Sequence, residues 1–166
     1  MEKTQTKLNL KVMDFNGKTI KSFHKEITIT SNTSAINQNI DYLNFIKKKK
    51  LKKVFIVAEL SDLQNNIFDE SLFFFEAPKN LKLKKPKITI KISKGLNDHF
   101  NIEVSSKTLA KNIRLQTVIE GHFSTNYFDL VPLKKKIIYF KPTQKTSVEN
   151  LKKSIKLTSL YNTYNN

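Results

Sequence analysis

Leu8, Leu10 and Val12 alternate with Lys7, Asn9 and Lys11. That period of two predicts a strand with one buried face. Asn16-Gly17 follows, a cue for a two-residue hairpin, and the predicted return strand runs from Ile20 to Ile29. The stretch KVFIVAEL (53–60) is apolar on both faces, as a strand in the middle of a sheet requires. IFDESLFFFEAP (67–78) closes this first group. Between them lies SAINQNIDYLNFIKKKK (34–50), where Ile36, Ile40, Leu43 and Ile46 fit a helical stripe while Ile36, Ile40 and Tyr42 fit a strand. We read it as a short extended piece, a helical turn around 43–49 and a Lys-rich surface loop.

A second group of alternating stretches begins after PKNLKLKKPK (78–87), which reads as a linker with Pro78 near one end and Pro86 near the other. Ile88, Ile90 and Ile92 form one predicted strand, KGLNDH the turn, and Phe100, Ile102 and Val104 the return. Ile113, Leu115 and Ile119 make a third strand and KKIIYF (135–140) a later one. SIKLTSL (154–160) reads as the last, after a helical or loop segment at 143–153. Strands of about 6–8 residues with turns about every 8–12 residues predict an all-β fold of the sandwich type. The two groups define modules at 1–77 and 84–166. The first is short for a complete sandwich, so its open edges need pairing or cover.

Composition narrows the chemistry. Of the 166 residues, 39% are hydrophobic and 27% charged, which is lean for a globular chain but not disordered. There is no cysteine, which excludes disulfides and thiolate metal sites. No apolar run is long enough to span a bilayer, and MEKTQTKLNL lacks the apolar centre of a signal peptide. We therefore expect no membrane association, and the chain itself leaves the compartment open. Net charge is +16, carried by lysines with Arg114 as the only arginine. Specific nucleic-acid readers rely on the planar fork of Arg, so no specific nucleic-acid partner is expected. A lysine surplus is compatible with loose, salt-sensitive polyanion binding. The KKKKLKK run, Lys47 to Lys53, reads as a solvated loop before a phosphate clamp.

No reaction centre emerges. Glycosidases of the usual kind need two carboxylates across a cleft, whereas the acidic residues are scattered and adjacent Asp69 and Glu70 point to opposite faces of a strand. His24, His99 and His122 lack metal-ligand spacing and read as three ordinary imidazoles. Gly17, Gly95 and Gly121 stand alone, so no Gly-rich loop can cradle a phosphate. The expectation is no catalytic residue, no metal and no cofactor. A carbohydrate-binding module is the first alternative, disfavoured by the absence of Trp as a stacking platform. In this light LFFFE (72–76) reads as a buried strand end. A basic polyanion-binding protein is the second alternative.

GHFSTNYFDLVP (121–132) carries more specific information. With the preceding VSSKTLAKNIRL (104–115) and the following KKKIIYFKP (134–142), it resembles the C-terminal immunoglobulin-like domain of the β-mannosidases of glycoside hydrolase family 2. The shared phrase covers Gly121, Phe123, Ser124, Asn126, Tyr127, Phe128, Asp129, Leu130 and Pro132. LKKSIKLTSLYNTY (151–164) is similar to that family's terminus, and residues 60–90 to the junction between its last two sandwich domains. The resemblance implies two small immunoglobulin-like β-sandwich modules in tandem, the first lacking its opening strands. It also implies that the partner is the catalytic (β/α)₈ barrel and preceding domains of a parent β-mannosidase. That barrel supplies both catalytic glutamates, one following an Asn, and this sequence holds no Asn-Glu dipeptide and no room for a barrel. The family implies a periplasmic, secreted or lysosomal setting. The expected role of 121–132 is a structural corner: Phe123, Tyr127, Phe128 and Leu130 seal the sandwich end before Pro132. Asp129 or Asn126 satisfies turn amides, and Tyr127 clamps through its hydroxyl.

Overall fold

The computed structural model describes residues 2–164. The chain forms two compact units, 1–82 and 83–166. The division falls inside the stretch read as a linker, because its first half packs with the first unit. Pro78–Asn80 is a 3₁₀ turn, Leu81 is buried, and Lys82 N–H donates to Lys52 O at 2.8 Å.

The first unit is one antiparallel sheet of β1 (Lys3–Asp14), β2 (Thr19–Thr30), β3 (Val54–Ser61) and β4 (Ile67–Phe74), in the order β2-β1-β3-β4. The doubly apolar stretch KVFIVAEL supplies β3, an inner strand in which Val54, Phe55 and Val57 are buried. Its buried face also carries Glu59, 2% exposed and ion-paired with Lys11 at 3.0 Å. Ile46 enters the core beside Val12 and Val54, with Tyr42, Phe45, Leu51 and Phe75 packed around them. The helical stripe does not form. Ile36 and Leu43 are exposed, and the segment carries only two 3₁₀ turns, Tyr42–Asn44 and Lys48–Lys53. Asp41 caps the first through the Leu43 N–H, and Leu51 anchors the second by packing against the core.

Both hairpins of this sheet use one design. In the first, Gly17 N–H donates to Asp14 O and Asp14 N–H to Lys18 O, each at 3.0 Å. Gly17 has φ 90° while Asn16 stays at negative φ. A two-residue type I′ loop would need positive φ at both central residues. The connection is therefore a three-residue loop with Gly17 as the bulge residue, one longer than the Asn-Gly cue predicts. The extra residue is Phe15, which is buried and faces Phe55 at 6.1 Å. In the second hairpin Asn65 takes the positive φ of 69° and Asp62 plays the part of Asp14.

Asp62 accepts from the Asn66 side-chain amide at 2.7 Å and from the Asn66 backbone N–H at 2.8 Å. The side-chain bond first, then the backbone bonds, hold its carboxyl below the ordinary value of 3.8. We expect an NMR titration midpoint below 3.8 for Asp62, and an upward move in Asn66→Ala. A depressed folded pKa means that this contribution is present above about pH 4 and lost as pH falls through the folded value. An unchanged midpoint in the variant would assign the shift elsewhere.

The second unit is a two-layer sandwich. One sheet holds β5 (Ile88–Lys94) and β6 (Phe100–Ser106), with β10 (Lys135–Pro142) and β8 (Gly121–Phe123), in the order β5-β6-β10-β8. The other holds β7 (Ala110–Gln116), β9 (Phe128–Leu130) and β11 (Lys156–Thr158), in the order β11-β7-β9. Alternation assigns the faces. Ile102, Val104, Ile138 and Phe140 point inward from the first sheet and meet Ile113, Leu115, Phe128 and Leu130 of the second. The stretch 143–153 contains helix α1 (Val148–Ser154), capped where Ser147 Oγ accepts from Asn150 N–H at 3.1 Å. Its Leu151 is fully buried in the core. The last predicted strand shortens to the three residues of β11, since Ser159 caps a final turn, α2 (Leu160–Thr163).

Candidate functional site

The corner at 121–132 is built on two strands it does not belong to. Gly121 lies opposite Pro142 of β10. A Cβ there would sit 2.5 Å from Lys141 O and 2.7 Å from the Phe140 ring, so only glycine fits. Phe123 packs on Phe140 with ring centroids 4.8 Å apart. Ser124 extends the ladder past the end of β8: its N–H donates to Tyr139 O, and its Oγ accepts from Tyr139 N–H.

Asn126 and Asp129 then serve β7. Asn126 Oδ1 accepts from Leu115 N–H at 2.8 Å, and its Nδ2 donates to Leu115 O at 2.9 Å, so one side-chain amide stands in for a strand neighbour. Further along, the β7–β9 register shifts between Ala110 and Ile113, and Asn112 adopts φ 49°. That bulge turns the Asn112 N–H out of the ladder, and Asp129 Oδ1 accepts it at 2.7 Å. Asp129 Oδ2 also pairs with Lys111 Nζ at 3.0 Å, both side chains being under a fifth exposed. Phe128 and Leu130, flanking Asp129, point into the core, and Pro132 is buried behind them.

Tyr127 departs from the expectation. It does not seal the sandwich end: it is 64% exposed, sits at φ 57°, and lies under the Arg114 guanidinium at 6.0 Å. Its hydroxyl makes no hydrogen bond among the described residues. The left-handed backbone lets Asn126 reach β7 on one side and Phe128 enter the core on the other, which turns the intervening ring outward.

The other candidates fall into place around this frame. Asp69 and Glu70 are exposed on β4. Glu70 lies opposite Glu59 in the ladder, but Glu59 is buried against Lys11, so no substrate bond can lie between the two carboxylates. Among the described residues no three His, Asp or Glu side chains gather as metal ligands. In LFFFE, Phe74 stacks on Phe55 at 5.9 Å, whereas Phe73 is 58% exposed. His24 contacts Asn9 Oδ1 at 2.6 Å in the first unit. His99 and His122, separated in sequence, line the same open groove of about 650 Å³ on the second unit. Sequence spacing did not signal that meeting, because cross-strand register brings them together.

Two family models, one on each half of the chain, define the class: a tandem of immunoglobulin-like accessory domains of glycoside hydrolases. Residues 1–80 match the mannosidase Ig/CBM-like domain, and residues 83–163 match the Ig-fold domain of mannosidases. The chain belongs to the mannosidase immunoglobulin-like domain family in both halves. Among solved structures it is similar to the β-D-mannosidase of Dictyoglomus thermophilum, with a TM-score of 0.73 and 20% identity over 95% of this chain and 19% of that one. It is also similar to the exo-chitosanase of Amycolatopsis orientalis, with a TM-score of 0.53 and 10% identity over 95% of this chain and 23% of that one. The chain thus spans about a fifth of the length of these enzymes. No curated protein sequence matches it significantly.

Proposed function

We propose that the chain is the C-terminal accessory region of a family 2 β-mannosidase. The parent polypeptide would remove terminal β-mannosides with retention, through a barrel carried elsewhere in it. The observation that supports this reading is the succession of two different mannosidase-type domains, in that order, across residues 1–163. The chain's part is structural: it packs on the barrel, stabilises it and shapes the rim of the pocket.

Two results test the reading. An antibody raised against this chain is expected to detect a polypeptide several times larger than 19.3 kDa in extracts of the source cells. The chain alone is expected to hydrolyse an aryl β-mannoside no faster than buffer. A native band near 19.3 kDa would overturn the accessory role, and turnover above buffer would overturn the non-catalytic one.

A further inference from the structure

The outer face of the β5-β6-β10-β8 sheet ought to be plain solvent surface, since Ile138 and Phe140 already commit the inner face of β10 to the core. Instead the alternation turns Tyr139 outward, 51% exposed, onto the floor of the groove of about 650 Å³. Register sets what surrounds the ring. Asn101 lies directly opposite Tyr139 on β6, and His122 lies opposite Lys141 between β8 and β10. Ser124 fixes the strand from the other side through its two bonds to the Tyr139 backbone.

One wall is the tip of the β5–β6 hairpin, which brings Leu96, Asn97 and His99 to the groove. Asn97 and Asp98 have φ of 51° and 59°, and His99 N–H donates to Leu96 O at 3.0 Å. Positive φ at both central residues makes a type I′ turn, whose twist matches the flanking strands and holds the wall in place. His99 Nδ1 lies 2.9 Å from Asn97 O and 3.2 Å from Leu96 O. Carbonyls only accept, so Nδ1 carries the hydrogen, and in the neutral ring Nε2 is left as an acceptor.

The remaining polar groups of the groove are uncommitted. The side chains of Asn97, Asn101, His122, Tyr139 and Lys141 make no hydrogen bond among the described residues. Lys141 only donates, the His99 Nε2 accepts, and the two amides and the Tyr139 hydroxyl do both. A simple anion would use only the donors. An apolar segment would bury these groups unpaired, which is costly. A ring of hydroxyls uses donors and acceptors together, while its C–H face packs on an aromatic plane. The volume lies within the range of small-molecule sites, roughly 300–1,000 Å³.

We propose that this groove is a saccharide-binding site, with Tyr139 as the platform for a pyranose ring. Asn101, Asn97, His99, His122 and Lys141 meet its hydroxyls. The site is independent of the accessory role and does not rest on it.

The test is an NMR titration of the backbone amides of the whole chain with mannobiose, cellobiose and chitobiose up to about 10 mM, the range of weak millimolar binding. The expected result is saturable shifts at residues 96–101, 122–124 and 139–141 with at least one disaccharide. Tyr139→Ala is expected to weaken that binding about tenfold and Tyr139→Phe to leave it nearly unchanged, with the shifts insensitive to added salt. Two results would overturn the proposal: no saturable shift with any of the three sugars, or binding that Tyr139→Ala leaves intact. Binding only to heparin, lost steeply with salt, would make the groove a polyanion site and overturn it equally. The size of the native polypeptide is untouched by these outcomes, so the two proposals fail separately.

Discussion

Phe140→Ala is expected to destabilise the second domain by about 3–5 kcal/mol, the usual cost of deleting a buried aromatic ring. The ring is fully buried, touches Phe123 at a centroid distance of 4.8 Å, and lies opposite Phe100 in the ladder. Collapse cannot fill the gap, because the flanking groups are backbone of Gly121 and strands already paired on both sides. Since small domains hold only about 5–15 kcal/mol in total, the loss is a large share of the stability. The neighbouring variant supplies the control. Tyr139→Ala removes a ring of similar size from the outer face and is expected to cost under about 1 kcal/mol. Hydrogen exchange at the Ile102 and Ile138 amides reads both. Equal losses in the two variants would refute the assignment of inner and outer faces.

The second large effect is expected at the corner. Asp129→Ala removes the carboxylate that pairs with Lys111 and accepts the Asn112 N–H, and is expected to cost about 3 kcal/mol. That is the low end for a broken buried pair, chosen because both side chains keep some contact with solvent. Asp129→Asn keeps an acceptor for Asn112 and loses only the charge, so about half of the cost should return. Tyr127→Ala, two residues away, should change little, since the ring is exposed. Urea unfolding of the three variants decides. If Asp129→Ala costs less than about 1 kcal/mol, the bulge of β7 is held by something other than this carboxylate.

The glycine of the same corner behaves differently from Gly95. Gly121→Ala is expected to cost about 1–3 kcal/mol as overpacking, since its Cβ would meet the backbone of Lys141 and Pro142. Gly95→Ala meets only the Asn101 side chain at 2.8 Å and the His99 carbonyl at 3.3 Å. An Asn side chain can turn away, so that variant should fold and move Asn101 within the groove.

What the sequence determined by itself is local. The period of two marked β1, β5 and β6 and told their inner residues from their outer ones, because a side chain's face follows from its position along its own strand, while β3 was legible as a doubly apolar inner strand. The family was equally legible, since the phrase from Gly121 to Pro132 is contiguous. The stretch 34–50, whose spacing fits a helix and a strand alike, forms two short 3₁₀ turns and buries Ile46.

Only the tertiary structure decided what each side chain meets. Asn126 and Asp129 were expected to satisfy turn amides, and they bond instead to Leu115 and Asn112 of β7. Tyr127 shares their phrase and faces solvent, while Glu59 sits buried in a strand that reads as apolar. His99 and His122 are 23 residues apart in the chain and line one groove because β10 separates their strands in the sheet by a single step. Pairing and register join residues distant in sequence, and alternation within one strand carries no information about which strand lies beside it.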